Sequence, residues 1–110
     1  MANGTKYYMD PEWAHFTLID GAVATTDGAW VDVGRYAKCS IHVDGITTAT
    51  VTINGSNAQA QPADSANGDQ IGANITADGW ASVDPLPRWI KARVTAWTSG
   101  TVRVDVKAVD

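Results

Sequence analysis

Apolar and polar residues alternate with a period of two along most of this chain. In residues 37–44, Ala37, Cys39, Ile41 and Val43 share one side, and Lys38, Ser40, His42 and Asp44 share the other. Residues 48–53 repeat the pattern, with Ala49, Val51 and Ile53 set against Thr48, Thr50 and Thr52. Towards the end two ladders stand close together: Ile90, Ala92, Val94 and Ala96, then Val102, Val104, Val106 and Ala108. A period of two sends alternate side chains to opposite faces of a strand. Shorter matches at 14–19, 29–33, 70–76 and 80–83 bring the set to seven or eight strands, and no long stretch carries the helical period of 3.6. That many short strands in 110 residues predicts an all-β fold, an antiparallel β-sandwich or jelly roll.

The punctuation agrees. Seven of the ten glycines follow Asp or Asn. Such pairs tolerate the positive φ of tight hairpin turns. The final ladders then read as the longest hairpin, residues 88–109, closing through Thr98, Ser99 and Gly100 with the glycine left-handed. This register sets Val94 opposite Val104, Arg93 opposite Asp105 and Thr95 opposite Arg103. Two segments fall outside the ladders. Residues 1–13, with Tyr7, Tyr8 and Trp13, read as an N-terminal arm preceding a single domain over 14–110. Residues 55–69 are small and polar and read as a long surface loop, functional or mobile.

One feature resists the alternation. Trp89, Arg93 and Trp97 lie on the side opposite the apolar ladder of their own strand, and Arg103 continues that side. A face content with water needs no tryptophan, so the side is covered, either by the chain itself or by another molecule. Trp and Arg are over-represented in buried interface centres. Tyr7, Tyr8, Trp13, Trp89, Arg93, Trp97 and Arg103 are therefore the candidate interface residues. The other two tryptophans, Trp30 and Trp80, each follow an Asp-Gly pair closely and read as closing over a core edge.

Composition removes several classes. The net charge of −4 is spread along the chain, with no basic stripe for nucleic acid. No apolar run is long enough to span a bilayer and no secretory signal is visible, so no membrane partner and a cytoplasmic origin are expected. A lone Cys39 on the apolar phase reads as a small core residue. His15 and His42 are the only histidines, and His42 falls on an outward, solvated position. There is no nucleophile elbow, phosphate loop, CxxC pair or HExxH motif. The "DSANGD" loop lacks the EF-hand spacing and its closing Glu. No catalytic residue, cofactor or metal is expected, and the chain does not read as an enzyme.

The blocks "GAWVDV" (28–33), "TVTINGSN" (50–57) and "PRWIKARVTAWTSGTVRV" (87–104) resemble a recurring pattern in small virion proteins of tailed bacteriophages. The likeness omits the arm and much of 58–79. It implies a β-sandwich built into a virus particle: a capsid decoration (cement) protein, or a head-fibre or tail-associated module, assembled in the host cytoplasm. The partners it implies are the major capsid protein or other virion subunits. A homo-oligomer on the capsid surface is expected with it, a trimer by preference. The alternative is a tail- or fibre-associated carbohydrate-binding module whose tryptophans stack on sugars.

Overall fold

β-Branched residues on a two-residue period favour long extended segments, and two such segments organise the molecule. The computed structural model describes residues 13–63 and 65–110 in full and 5–9 as backbone. Eight strands form one antiparallel sheet: β1 (Thr5–Met9), β2 (Trp13–Ala22), β3 (Thr26–Asp27), β4 (Val31–Asp32), β5 (Lys38–Ser56), β6 (Asp69–Ile75), β7 (Gly79–Val83) and β8 (Trp89–Val109). No helix occurs among the described residues. The fold is all-β, as the alternation predicts.

The expected hairpin at 98–100 does not form. Residues 89–109 run on as one strand, paired along their length with the equally long β5, from Lys38↔Val109 to Ser56↔Trp89. Register shifts crowd the stretch between Asp44 and Val51, where both strands bend together. Bulges of this kind turn a strand without ending it. Gly45 (φ 80°) and Gly100 (φ 113°) sit at the bend. A Cβ on Gly45 would collide with the Thr101 carbonyl, and one on Gly100 would lie 2.8 Å from the Thr47 nitrogen. Trp97 braces the corner by donating its indole N–H to the Gly100 carbonyl, 3.0 Å. The pairs Val94–Val104, Arg93–Asp105 and Thr95–Arg103 are accordingly absent, because both members of each belong to one strand.

The bend divides the sheet into two halves. In the first, β1, β2, the end of β8, the start of β5 and β7 lie in that order. In the second, β3 and β4 flank the start of β8, which pairs with the end of β5, and β6 follows. Odd residues of β5 (Cys39, Ile41, Val43, then Ala49, Val51, Ile53) are buried on both sides of the bend. Even residues of β8 are buried likewise, from Ile90 to Val94 and from Val102 to Ala108. One face of the sheet therefore lines the core throughout, and all these residues belong to a single apolar cluster. The sandwich is one sheet folded over its own apolar face. Ala96, expected inward, is exposed because the phase breaks at the bend. Cys39 is in the core, and burial pushes its thiol pKa up to about 11 against a hydrogen bond from the Val83 backbone.

Residues 5–9 of the expected arm are an edge strand, paired with β2 from Thr5↔Thr17 to Met9↔Ala14. The side chains of Tyr7 and Tyr8 lie outside the described residues.

Candidate functional site

The outward faces of the two halves have different fates, and the difference locates the site. On the second half the chain covers itself. Residues 57–63 and 65–68 lie across the polar side of β5 and β8, fastened by side chains that point away from the core. Trp30 donates its indole N–H to the carbonyls of Ala63 and Ala66, 3.1 and 3.2 Å. Trp89 donates to the Ala58 carbonyl, 3.0 Å. Asn54 donates to the Asn67 carbonyl, 2.9 Å, and Lys91 to the Asn67 side-chain oxygen, 3.1 Å. The Lys91 ammonium also lies 5.1 Å from the Trp30 ring centre, within cation–π range. Lys91 is fully buried, and Trp89 is 8% exposed.

Trp89 is thus covered by the chain's own loop, and the segment expected to be a long surface loop, functional or mobile, is a fastened cover. Trp89, Arg93 and Trp97 do not make one outward face. Arg93 donates to Asp27 at 2.7 Å across the β3–β8 pair. This bond holds the Asp27 carboxyl below the usual range. Trp97 is half-buried at the bend against the core.

On the first half the outward face is exposed at its two tryptophans, Trp80 and Trp13, with half-buried polar residues and the buried Thr17 between them. Cross-strand pairing sets Trp80 of β7 opposite His42 of β5, and His42 opposite Asp105 of β8. The His42 and Trp80 rings stack with centres 4.4 Å apart and planes 15° from parallel. Trp80 is nevertheless 75% exposed: among the described residues β7 lies at the sheet edge, with no strand beyond it. Arg103 bridges Asp20 (3.0 Å) and Asp105 (2.8 Å), and Thr17 donates to Asp105 at 2.8 Å. At the far edge the Lys107 ammonium lies 5.4 Å from the ring of Trp13, which is 37% exposed. The face therefore runs from Trp80 to Trp13 across a fixed band of charges.

Of the sequence-nominated residues, the structure places Trp13 and Arg103 on this face. The residue the sequence misjudged is Trp80, expected to close a core edge; its partner His42 faces outward as expected and is half-buried by the stack. Pairing the 37–44 and 80–83 ladders with Cys39 opposite Val83 would have set 42 beside 80. The Asp-Gly step at 78–79 instead suggested a ring folding inward.

A second feature is an open groove of about 720 Å³ lined by Asp32, Arg35, Asn57, Leu86, Pro87 and Arg88. Arg88 lies 3.7 Å from Asp32 and over the Trp89 ring at 5.2 Å. Its backbone N–H donates to the Asn57 side chain at 2.8 Å. The groove is shaped by the fastening of the loop, with no histidine or cysteine in its lining.

No family model matches this chain, and no curated protein matches it in sequence. In structure it is similar to the SPBc2 prophage-derived protein YomS, seen in a crystal structure. The TM-score is 0.73, over 94% of this chain and 97% of that one, at 15% identity. At that identity the likeness establishes a shared fold. The bent all-β sheet is therefore an architecture that a prophage-derived protein also adopts.

Proposed function

We propose that this chain is a non-enzymatic structural protein of a tailed-phage particle. In this reading it decorates the head lattice and stabilises it through protein contacts. The observation that carries it is Trp80, a large aromatic side chain left three-quarters exposed on a rigid strand and held upright by His42. Exposed aromatics in fixed geometry mark contact surfaces, where Trp supplies buried area at low entropic cost. The fold shared with a prophage-derived protein supports the phage setting. In this reading the exposed Trp80 and Trp13 make the contacts with partners, the major capsid protein or other virion subunits.

A cement protein acts by mass action, binding the assembled shell in preference to free subunits. Copies that also contact one another, as a trimer would, add avidity through effective concentration. Particles lacking the chain should lose resistance to heat or low salt, and adding it back should restore it. Imaging of native particles should find many copies spread over the head. A handful of copies at the tail tip would overturn the decoration reading. It would favour the carbohydrate-binding alternative, which the exposed Trp80 ring also suits. Binding of the purified chain to a glycan, abolished by Trp80→Ala, would confirm that alternative.

A further inference from the structure

A sheet edge carries a row of unpaired backbone donors and acceptors, and proteins guard such edges with charges, proline, bulges or brevity. The edges of this sheet are unequally guarded. β1 has a register shift beside Lys6. β3 and β4 are two residues each. β6 begins at Asp69, shifts register against β5, and carries Gly72 at φ 74° in its middle. β7 opens on Gly79 at φ 156° but lacks the other devices. Its five residues, Gly79–Val83, contain no charge and no proline, and pair with β5 in unbroken register from Cys39↔Val83 to Val43↔Gly79. Among the described residues it pairs with no other strand. It also carries the most exposed tryptophan. A regular, neutral, unguarded edge beside an exposed aromatic is a template for strand addition.

The charges flanking the strand select the occupant. Asp78 and Asp84 bracket β7, both exposed, and Asp78 is fixed by accepting the Ile46 backbone N–H at 2.8 Å. Two copies of this chain paired antiparallel about Ala81 would set Asp78 of each against Asp84 of the other. Like charges directly opposed across strands are destabilising. The whole chain is also net acidic at −4.

We infer that the free edge of β7 receives an extended segment of another virion subunit as an added antiparallel strand. In that segment basic residues face Asp78 and Asp84, and the residue set opposite Trp80 packs on its ring. The inference deepens the structural-protein reading and rests on it for the identity of the partner. The backbone ladder supplies affinity, Trp80 the anchor, and the two carboxylates the selectivity.

The probe is a synthetic heptapeptide, Lys-Val-Tyr-Val-Thr-Val-Lys, whose end lysines would lie opposite Asp84 and Asp78. Its counterpart has glutamate at both ends. The basic peptide should slow amide exchange within residues 79–83 of the full chain and bind more weakly as salt rises. Trp80→Ser, an exposed substitution that leaves the core intact, should weaken binding by about tenfold or more, the loss of one anchoring aromatic. Equal binding of the acidic peptide, protection elsewhere than β7, or no binding of the basic peptide would overturn the inference. So would a Trp80-dependent dimer in the absence of peptide, since the occupant would then be a second copy. Particles separate this inference from the reading beneath it. Incorporation of Trp80→Ser as efficiently as the parent chain would sink the edge contact and leave the structural role standing. Absence of the parent chain from particles would sink the structural role, and the edge would be judged on the peptides.

Discussion

Gly45 distinguishes a bent strand from a pair of hairpins. Were residues 44–45 and 98–100 the tips of two separate turns, a methyl group at 45 would point into water. In the bent sheet it meets the Thr101 carbonyl of the adjacent strand. The consequence is measurable by comparing Gly45→Ala with Gly72→Ala. Both glycines have positive φ, 80° and 74°, so the left-handed backbone costs each alanine about 1–2 kcal/mol. A Cβ at Gly72 has nothing within 4 Å. At Gly45 it forces two paired backbones apart, and overpacking of this kind adds about 1–3 kcal/mol. Gly45→Ala should therefore unfold about 1–3 kcal/mol more easily than Gly72→Ala. In a domain this size that separates the melting midpoints by roughly 5–20 °C. Urea titration followed by circular dichroism, with tryptophan fluorescence as a second probe, reads the difference directly. If the two variants agree within about 0.5 kcal/mol, about the scatter of such measurements, the continuous bent strand is refuted.

The fastened loop predicts that Trp30→Phe, which keeps most of the ring but loses the N–H bonds to Ala63 and Ala66, costs about 1 kcal/mol. Proteolysis or amide exchange in residues 57–68 should accelerate, and an unchanged loop would show that the indole does not hold it. Cys39, buried and with its thiol pushed up to about 11, should resist alkylation at pH 8 in the native protein and react once urea unfolds it. Alkylation of the native protein at the rate of a free thiol would contradict its core position. Asp27, held below the usual carboxyl range by the hydrogen bond from Arg93, contributes stability that is complete above its unfolded pKa near 4. That contribution is lost as pH falls through the lower folded pKa. Because both side chains are partly exposed, Asp27→Asn should cost at most about 0.5 kcal/mol at pH 7, and the cost should shrink as acid protonates Asp27. A penalty that grows on acidification would reverse the assignment.

The sequence carries the core more plainly than the topology. On either side of the bend, the odd residues of 39–43 and 49–53 and the even residues of 90–94 and 102–108 were legible as inward, because period-two patterning reports which face is apolar whatever the strand pairs with. Pairing is another matter. A left-handed glycine between two apolar ladders serves a hairpin turn and a bulge equally well, and Gly45 and Gly100 serve the bulge. Distinguishing the two requires knowing what lies beside the ladders, and β5 and β8 are partners separated by more than thirty residues of chain. The same non-local fact hid the fate of Trp89. That a tryptophan on the polar phase must be covered was a sound inference; that residues 57–63 and 65–68 do the covering depends on hydrogen bonds across a gap local pattern does not encode.

The two tryptophan-bearing outer faces then explain each other. On the second half, Trp30 and Trp89 each use their N–H to bind a loop carbonyl, and the indoles are spent inside the chain. On the first half, Trp80 stands beside His42 and is three-quarters exposed. Covering one face with its own loop costs a chain conformational entropy that only folding can offset. In the proposed reading that covering is left to a partner, at an edge that is regular, neutral along β7 and bracketed by Asp78 and Asp84. The strand proposed for this edge would do at Trp80 what residues 57–63 and 65–68 do at Trp89, and in both cases a tryptophan is the residue in contact.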